Sequence, residues 1–413
     1  MADVKYGSLP FDAQIAFFRK KLALPTRGWT DLWQSNHDHA FVVAGATKMA
    51  LVEDMQQAIQ KAIKQGTTLA EFRKDFDKTV AKHGWAYNGE RGWRTRVIYE
   101  TNLRTSYAAG RYEQLQNFEF WQYHHSTGVT NPRPQHVAWS GLVLPKDDPF
   151  WQTHYPPNGW GCRCYATGLS KSRMRQKGLS QSETPDIKMR QVLVGVNTLN
   201  PRTIDLPEGI SAGFAYAPGR SAWMHHHVAT PKGEVAIAFD KAIPATVAGD
   251  LMPSPREFNE KKLMPLMKEG QDEDYVRAFL KPFGADIGQA KVFTDVTGEA
   301  VVISDALFKN AQGNWKIGKR SRSQDIVMLA ETLQDPDEVW TRMVWHKNQG
   351  KAMTERVYLS RYTIGEKDYT SLVVMDYHKG WHGVTAHTSL SADELKNKIE
   401  KNRAGVRLFK RGL

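Results

Sequence analysis

The sequence predicts an α+β chain: a helical N-terminal domain with an irregular aromatic-rich segment, then a C-terminal domain of helices plus an antiparallel sheet. Three observations carry this reading. Apolar residues recur at helical spacing through the first 120 residues. Pro, Gly, Trp and His displace that periodicity between about 123 and 167. Four strand-like runs, punctuated by glycines, follow helices towards the C-terminus.

In the first region, Met49, Val52, Met55, Ile59 and Ile63 fall three and four apart, which predicts an amphipathic helix closed at Gly66. Thr68 and Glu71 form a capping-box pattern that opens the next helix, and Gly84 closes it. A third helix is expected from about Arg94 to Asn117. The segment 123–167 reads as loops and short strands, with Trp139, Phe150, Trp151, Tyr155 and Trp160 as a local aromatic core. Residues 171–253 mix Ser, Pro, Gly and short apolar runs, and are expected to connect two domains, 1–170 and 254–413.

In the third region, Ser254, Pro255 and Glu257 give an N-cap, a first-turn proline and a capping acid, so short helices are expected from there to about Lys281. Ile326, Leu329, Ala330 and Leu333 mark the apolar side of a helix over about 323–334, stopped by Asp335-Pro336. Strands are expected at about 338–346, 355–364, 370–377 and 381–388, forming an antiparallel meander, with a fifth at 404–411.

Composition narrows the function. The 413 residues carry 41% hydrophobic and 24% charged residues, ordinary for a globular chain of two or three domains. The formal net charge of +12 favours polyanionic partners, nucleic acid above all. No apolar stretch approaches a membrane span, and no signal peptide is expected. Cys162 and Cys164, the two cysteines, are too close in sequence for an unstrained bridge, so a reducing compartment is expected. The pair reads first as two buried free thiols with no cofactor; the alternative is a structural zinc held by these thiolates with His136, His125 or His154, although the spacing is shorter than structural zinc sites favour. Arg96, Glu100 and Arg104 line one helical face, as an ion-pair ladder or as an anchor for the loops that follow.

The series R-V-I-Y-E-T-N-L-R-T-S-Y-A-A-G-R-Y (Arg96 to Tyr112), N-P-R-P-Q-H-V-A-W-S-G (Asn131 to Gly141), D-D-P-F-W (Asp147 to Trp151) and Y-P-P-N-G-W-G-C-R-C (Tyr155 to Cys164) resembles the Mu F-like family of phage head-morphogenesis proteins. The order of the pieces over about 70 residues makes the resemblance specific. It implies a phage or prophage minor head protein that acts in capsid assembly near the portal. The implied partners are the portal and other capsid or scaffold proteins, together with nucleic acid. The implied location is the virion head, or the host cytoplasm during assembly. It implies no reaction.

The segments V-V-I-S-D-A-L-F-K-N (Val301 to Asn310), L-A-E-T-L-Q-D-P-D-E-V-W (Leu329 to Trp340), R-V-Y-L-S-R-Y (Arg356 to Tyr362) and G-V-R-L-F-K-R (Gly405 to Arg411) resemble a phage-associated branch of the barnase, EndoU, colicin and RelE-like nucleases. Alternation along the strands puts Val357 and Leu359, and Val384 and Ala386, towards the helices. Arg356, Tyr358, Thr385 and His387 would then share an outward face. Such a face suits metal-independent RNA cleavage: His387 as base or acid, Arg356 against phosphate charge, Thr385 and Tyr358 as hydrogen-bond donors. Lys309, Lys316, Lys319, Arg320 and Arg322 are further phosphate candidates. The first strand is ambiguous, with Trp340, Arg342, Val344 and His346 on one side, so His346 or His382 are substitutes for His387. The competing readings are a delivered, toxin-type nuclease packaged through its head domain, and a structural protein whose second domain binds nucleic acid without cleaving it.

Overall fold

The computed structural model describes residues 11–198, 201–227, 251–265, 271–310, 312–317, 325–346, 351–378, 380–389 and 402–412, with the side chains of 224–227 and 382–389 left out. The chain divides into two compact units. One runs to Val235, apart from Leu24–Arg27 and Thr47–Met49, which group with the unit that otherwise begins at Ala236.

The first unit opens with α1 (Asp12–Arg19), β1 (Leu22–Ala23) and β2 (Ala40–Phe41), the two strands pairing in parallel. Three long helices follow: α2 (Met49–Gln65), α3 (Leu69–His83) and α4 (Arg91–Leu115). Thr68 and Glu71 cap α3 reciprocally, and Gly84 ends it in the left-handed conformation at φ +57°. Phe72 and Phe76 of α3 share a core with Leu51, Val52, Met55 and Ile59 of α2 and Ile98 of α4. Gly110 lets α1 cross α4 closely, because a Cβ there would sit 2.7 Å from the backbone nitrogen of Gln14.

The aromatic segment is more regular than its composition suggests. It forms β3 (Phe120–His124), α5 (Pro134–Ala138), β4 (Val143–Pro145), α6 (Phe150–His154) and β5 (Tyr165–Leu169). The strands make an antiparallel sheet with β3 in the centre. Trp121, Tyr123, Phe150, Trp151 and Tyr155 fill the core beneath it. Trp160 does not join them; it is 44% exposed and meets Phe214 edge to face.

The stretch expected to be a connector builds α7 (Lys171–Gln176), the hairpin β6 (Met189–Val194) with β7 (Arg202–Pro207), and α8 (Arg220–His227). All belong to the first unit. Leu206, Ile210 and Phe214 form a small core with Trp139, and buried Asp38 accepts hydrogen bonds from the Gly219 and Ser221 amides.

The second unit starts with β8 (Arg256–Glu257) where the capping pattern predicts a helix. Tertiary contacts override the local signal: Arg256 pairs with Asp335 and Asp337 and lies over the Tyr362 ring. Then come α9 (Asp272–Leu280), the hairpin β9 (Lys291–Thr294) with β10 (Ala300–Ile303), and α10 (Ile326–Gln334). The main sheet holds β11 (Glu338–His346), β12 (Lys351–Ile364), β13 (Lys367–Tyr377), β14 (Trp381–Ser389) and β15 (Val406–Lys410). Its order is β14-β13-β12-β11-β15, antiparallel throughout, and β8 adds in parallel at Tyr362–Thr363. The expected meander and fifth strand are both present.

Candidate functional site

The central strands β12 and β13 are buried on both faces over most of their length, and the helix packs on the side opposite to the one expected. Helix α10 packs on the face of Ser360, Tyr362 and Ser371, where Thr332 donates to the Ser371 hydroxyl at 2.7 Å. Arg356 and Tyr358 share the parity of that face and are fully buried. Arg356 Nη2 lies 2.8 Å from Asp295 Oδ2, and Tyr358 Oη donates to the same oxygen at 2.7 Å. Arg356 and Tyr358 therefore do not lie on an open face. Alternation could not show this, because Val357 and Leu359 are also buried, in an apolar cluster with Met252, Trp340, Leu372 and Val374.

Register separates the four expected catalytic residues. Thr385 pairs with Val374 and His387 with Leu372, which pair in turn with Val357 and Leu359. Directly paired residues of antiparallel strands share a face. Thr385 and His387 thus hold positions on the face opposite to Arg356 and Tyr358; their side chains lie outside the described residues, as do Lys319, Arg320 and Arg322. Lys309 pairs with Asp305 at 2.6 Å.

On that opposite face the structure assembles a charged cluster. Arg342 of β11 pairs across to Glu355 of β12, and Glu355 across to Asp376 of β13. The Arg342 guanidinium holds Glu355 at 2.9 Å. His346 Nε2 lies 3.4 Å from Glu355 Oε1 and 3.3 Å from Asp376 Oδ2. Burial pushes the Asp376 carboxyl up to about 6, against the opposing pull of His346. His382 occupies the register position next to Asp376. The two carboxylates were missed in the sequence, yet the turn at Gly365–Glu366 pairs Ile364 with Lys367 and so fixes Glu355 opposite Asp376.

In the first unit, the structure brings His136, Cys162 and Cys164 together, all buried. The Cys162 and Cys164 sulfurs lie 3.6 and 3.5 Å from His136 Nδ1, and Cys164 Sγ lies 3.5 Å from His125 Nδ1. Hydrogen bonding between the thiols holds Cys162 down to about 4 and pushes Cys164 up. His154 takes no part: its ring stacks on Phe150, and burial pushes it down to about 4. Arg104 pairs with Glu100 at 3.0 Å and also donates to the Cys162 carbonyl at 3.2 Å, so it both joins the ladder and anchors the loop. Nearby, a cavity of about 510 Å³ is lined by Trp29, Trp93, Phe214 and Lys21, whose amine burial pushes down to about 8.

These two sites lie in regions with known relatives. Residues 53–167 match the family described as Phage Mu protein F like protein, and residues 278–410 match that described as phage-Barnase-EndoU-ColicinE5/D-RelE like nuclease2. The N-terminal region is thus Mu F-like, and the C-terminal domain is nuclease-like. The chain is 34% identical over 232 residues to the putative capsid assembly protein F of Escherichia phage Mu, covering 51% of this chain and 50% of that protein. It is 34% identical over 223 residues to the Mu-like prophage FluMu F protein of Haemophilus influenzae, covering 48% of this chain and 54% of that one. The chain therefore spans about half the length of the curated relatives it matches. No solved structure matches the chain. Among the described residues no helix is long and apolar enough to cross a membrane.

Proposed function

We propose that this chain is a phage or prophage minor head protein that acts in capsid assembly near the portal, and that its C-terminal domain cleaves RNA. The assembly reading rests on the 34% identity to a protein named for capsid assembly, over a stretch equal to half of this chain. Its partners are then other capsid and assembly proteins, and its location the head or the host cytoplasm. Mass spectrometry of purified procapsids tests this; heads made in its presence but lacking it would defeat the reading.

The cleavage reading rests on one observation: Arg342, His346, Glu355 and Asp376 converge on one sheet face of a nuclease-like domain. RNA transesterification needs a base for the 2′-hydroxyl proton, an acid for the 5′-oxygen and a cation for the phosphorane. The Glu355–Asp376 pair takes the proton as the 2′-oxygen bonds to phosphorus. The bond to the 5′-oxygen then breaks, and His346 protonates that oxygen. Arg342 faces the growing phosphate charge. The products are a 2′,3′-cyclic phosphate and a free 5′-hydroxyl. The step as written takes its positive charge from Arg342, 2.9 Å from Glu355, and uses no metal. Incubating the whole protein with RNA in excess chelator tests this. Binding without cleavage would leave the domain a nucleic-acid binder.

A further inference from the structure

We propose that His136, Cys162 and Cys164 form a structural zinc site, with His125 as the fourth ligand. The distances carry the argument. With Zn–S near 2.3 Å and Zn–N near 2.0 Å, a tetrahedral site sets sulfur and nitrogen about 3.5 Å apart. The sulfur-to-nitrogen distances here are 3.6, 3.5 and 3.5 Å. The ligand atoms of His136, Cys162 and Cys164 all lie within 4.8 Å of one another, the arrangement a shared central ion requires.

The surroundings fit a metal better than two free thiols. His136 Nε2 lies 2.9 Å from the Gly209 carbonyl, which can only accept, so Nε2 carries the proton. The Nδ1 lone pair then points at both sulfurs, the tautomer that a metal-bound histidine adopts through its second-shell bond. That one lone pair can accept a proton from only one thiol, whereas a cation serves both sulfurs and the nitrogen together. Backbone groups of Asn158 and Cys164 hydrogen-bond Cys162, and that of Ser126 bonds Cys164. Two thiolates balance the charge of a divalent ion, so a neutral unit is buried in the aromatic core. The C-x-C spacing is shorter than in most structural zinc sites, but the turn at Gly161 (φ +70°) leads into it, and His136 meets both sulfurs. His125 follows β3, is half-buried, and touches only Cys164 of the two sulfurs, so its bond is the weakest of the four.

The test uses the whole chain, purified under reducing conditions without chelator. Elemental analysis should find about one zinc per chain. Stripping the metal and adding cobalt should give strong visible bands and a thiolate-to-cobalt charge-transfer band in the near ultraviolet. His136→Ala and Cys164→Ser should abolish these bands, and stripping alone should lower the melting temperature of the wild type. His125→Ala should keep a thiolate band but weaken metal affinity roughly tenfold or more in competition with a chromophoric chelator. Because the ligand variants can fail to fold, the wild-type titration decides. A zinc-free protein that folds normally and gives no cobalt–thiolate band overturns the proposal. A His125→Ala protein of unchanged affinity overturns the fourth ligand.

Discussion

Arg356 Nη2 sits 2.8 Å from Asp295 Oδ2, and neither side chain keeps any exposed surface. The Asp295 carboxylate pays for its burial through this charge and through hydrogen bonds from Thr297 and Tyr358. Asp295→Ala leaves a buried guanidinium short of its partner and should cost about 3–5 kcal/mol in denaturant unfolding. Arg356→Ala should cost a similar amount, by loss of folding. A loss below about 1 kcal/mol in both would mean that the pair is solvated after all.

The same carboxylate sets an acid limit. Burial raises the Asp295 pKa, but Arg356 and the hydrogen bonds outweigh it and hold the group below its ordinary value. A depressed carboxylate contributes stability above its unfolded pKa and loses it as pH falls through the folded one. Wild-type stability should therefore drop in strong acid, and Asp295→Asn should flatten that drop. Melting curves across the acid range check it.

Catalysis and stability should part company at Asp376. Its carboxyl is pushed up to about 6, so it is ionised above that pH and protonated below. As part of a base, it predicts cleavage that falls as pH drops through about 6. His346→Ala and Asp376→Asn should each slow cleavage by roughly 10²–10⁴-fold. Because a raised pKa makes the ionised form costly to bury, Asp376→Asn should also be more stable than wild type above that pH. A slower but less stable variant would point to a structural role instead.

His154 offers a contrasting case. Its folded pKa is lowered to about 4 from an ordinary 6.5, by burial against Phe150 and Trp139. The folded state then binds the proton more weakly, so stability falls as pH drops from about 6.5 towards 4. His154→Phe should keep the fold within about 1.5 kcal/mol and remove that loss. It should leave metal content unchanged, because His154 lies outside the cysteine cluster.

Elements whose signals are local were legible in the sequence. The α3 capping box, the helical spacing of α2 and the glycine-marked meander all stand where residue chemistry places them. Faces were not legible, because alternation reports a side only where one face is wet, and β12 is buried on both. The Ser254-Pro255 signal failed for a related reason: Arg256 gains more from Asp335, Asp337 and β12 than from a helix start. The cluster of His136, Cys162 and Cys164 was readable as residue types; what the sequence could not supply was the carbonyl of Gly209, 73 residues beyond His136, that orients the ring.

That long-range bond yields a prediction about where the first domain ends. Gly209 adopts φ +80°, and a Cβ there would lie 2.6 Å from the Trp139 ring, so β6, β7 and the turn after them are fitted to the aromatic segment. The buried Asp38 carboxylate depends on the amides of Gly219 and Ser221 and on the Ser221 hydroxyl. A chain ending at Ser170 leaves Asp38 and His136 without these partners, and each unsatisfied buried group costs about 1–3 kcal/mol. It also exposes the core that Trp139 shares with Leu206, Ile210 and Phe214. Together these losses are comparable with the roughly 5–15 kcal/mol that stabilises a whole domain. With zinc saturating, a fragment ending at Val235 should therefore melt cooperatively with near-ultraviolet dichroism from its packed aromatics. The fragment ending at Ser170 should show neither. Equal melting temperatures for the two would make residues 171–235 an appendage, and the aromatic domain would stand without them.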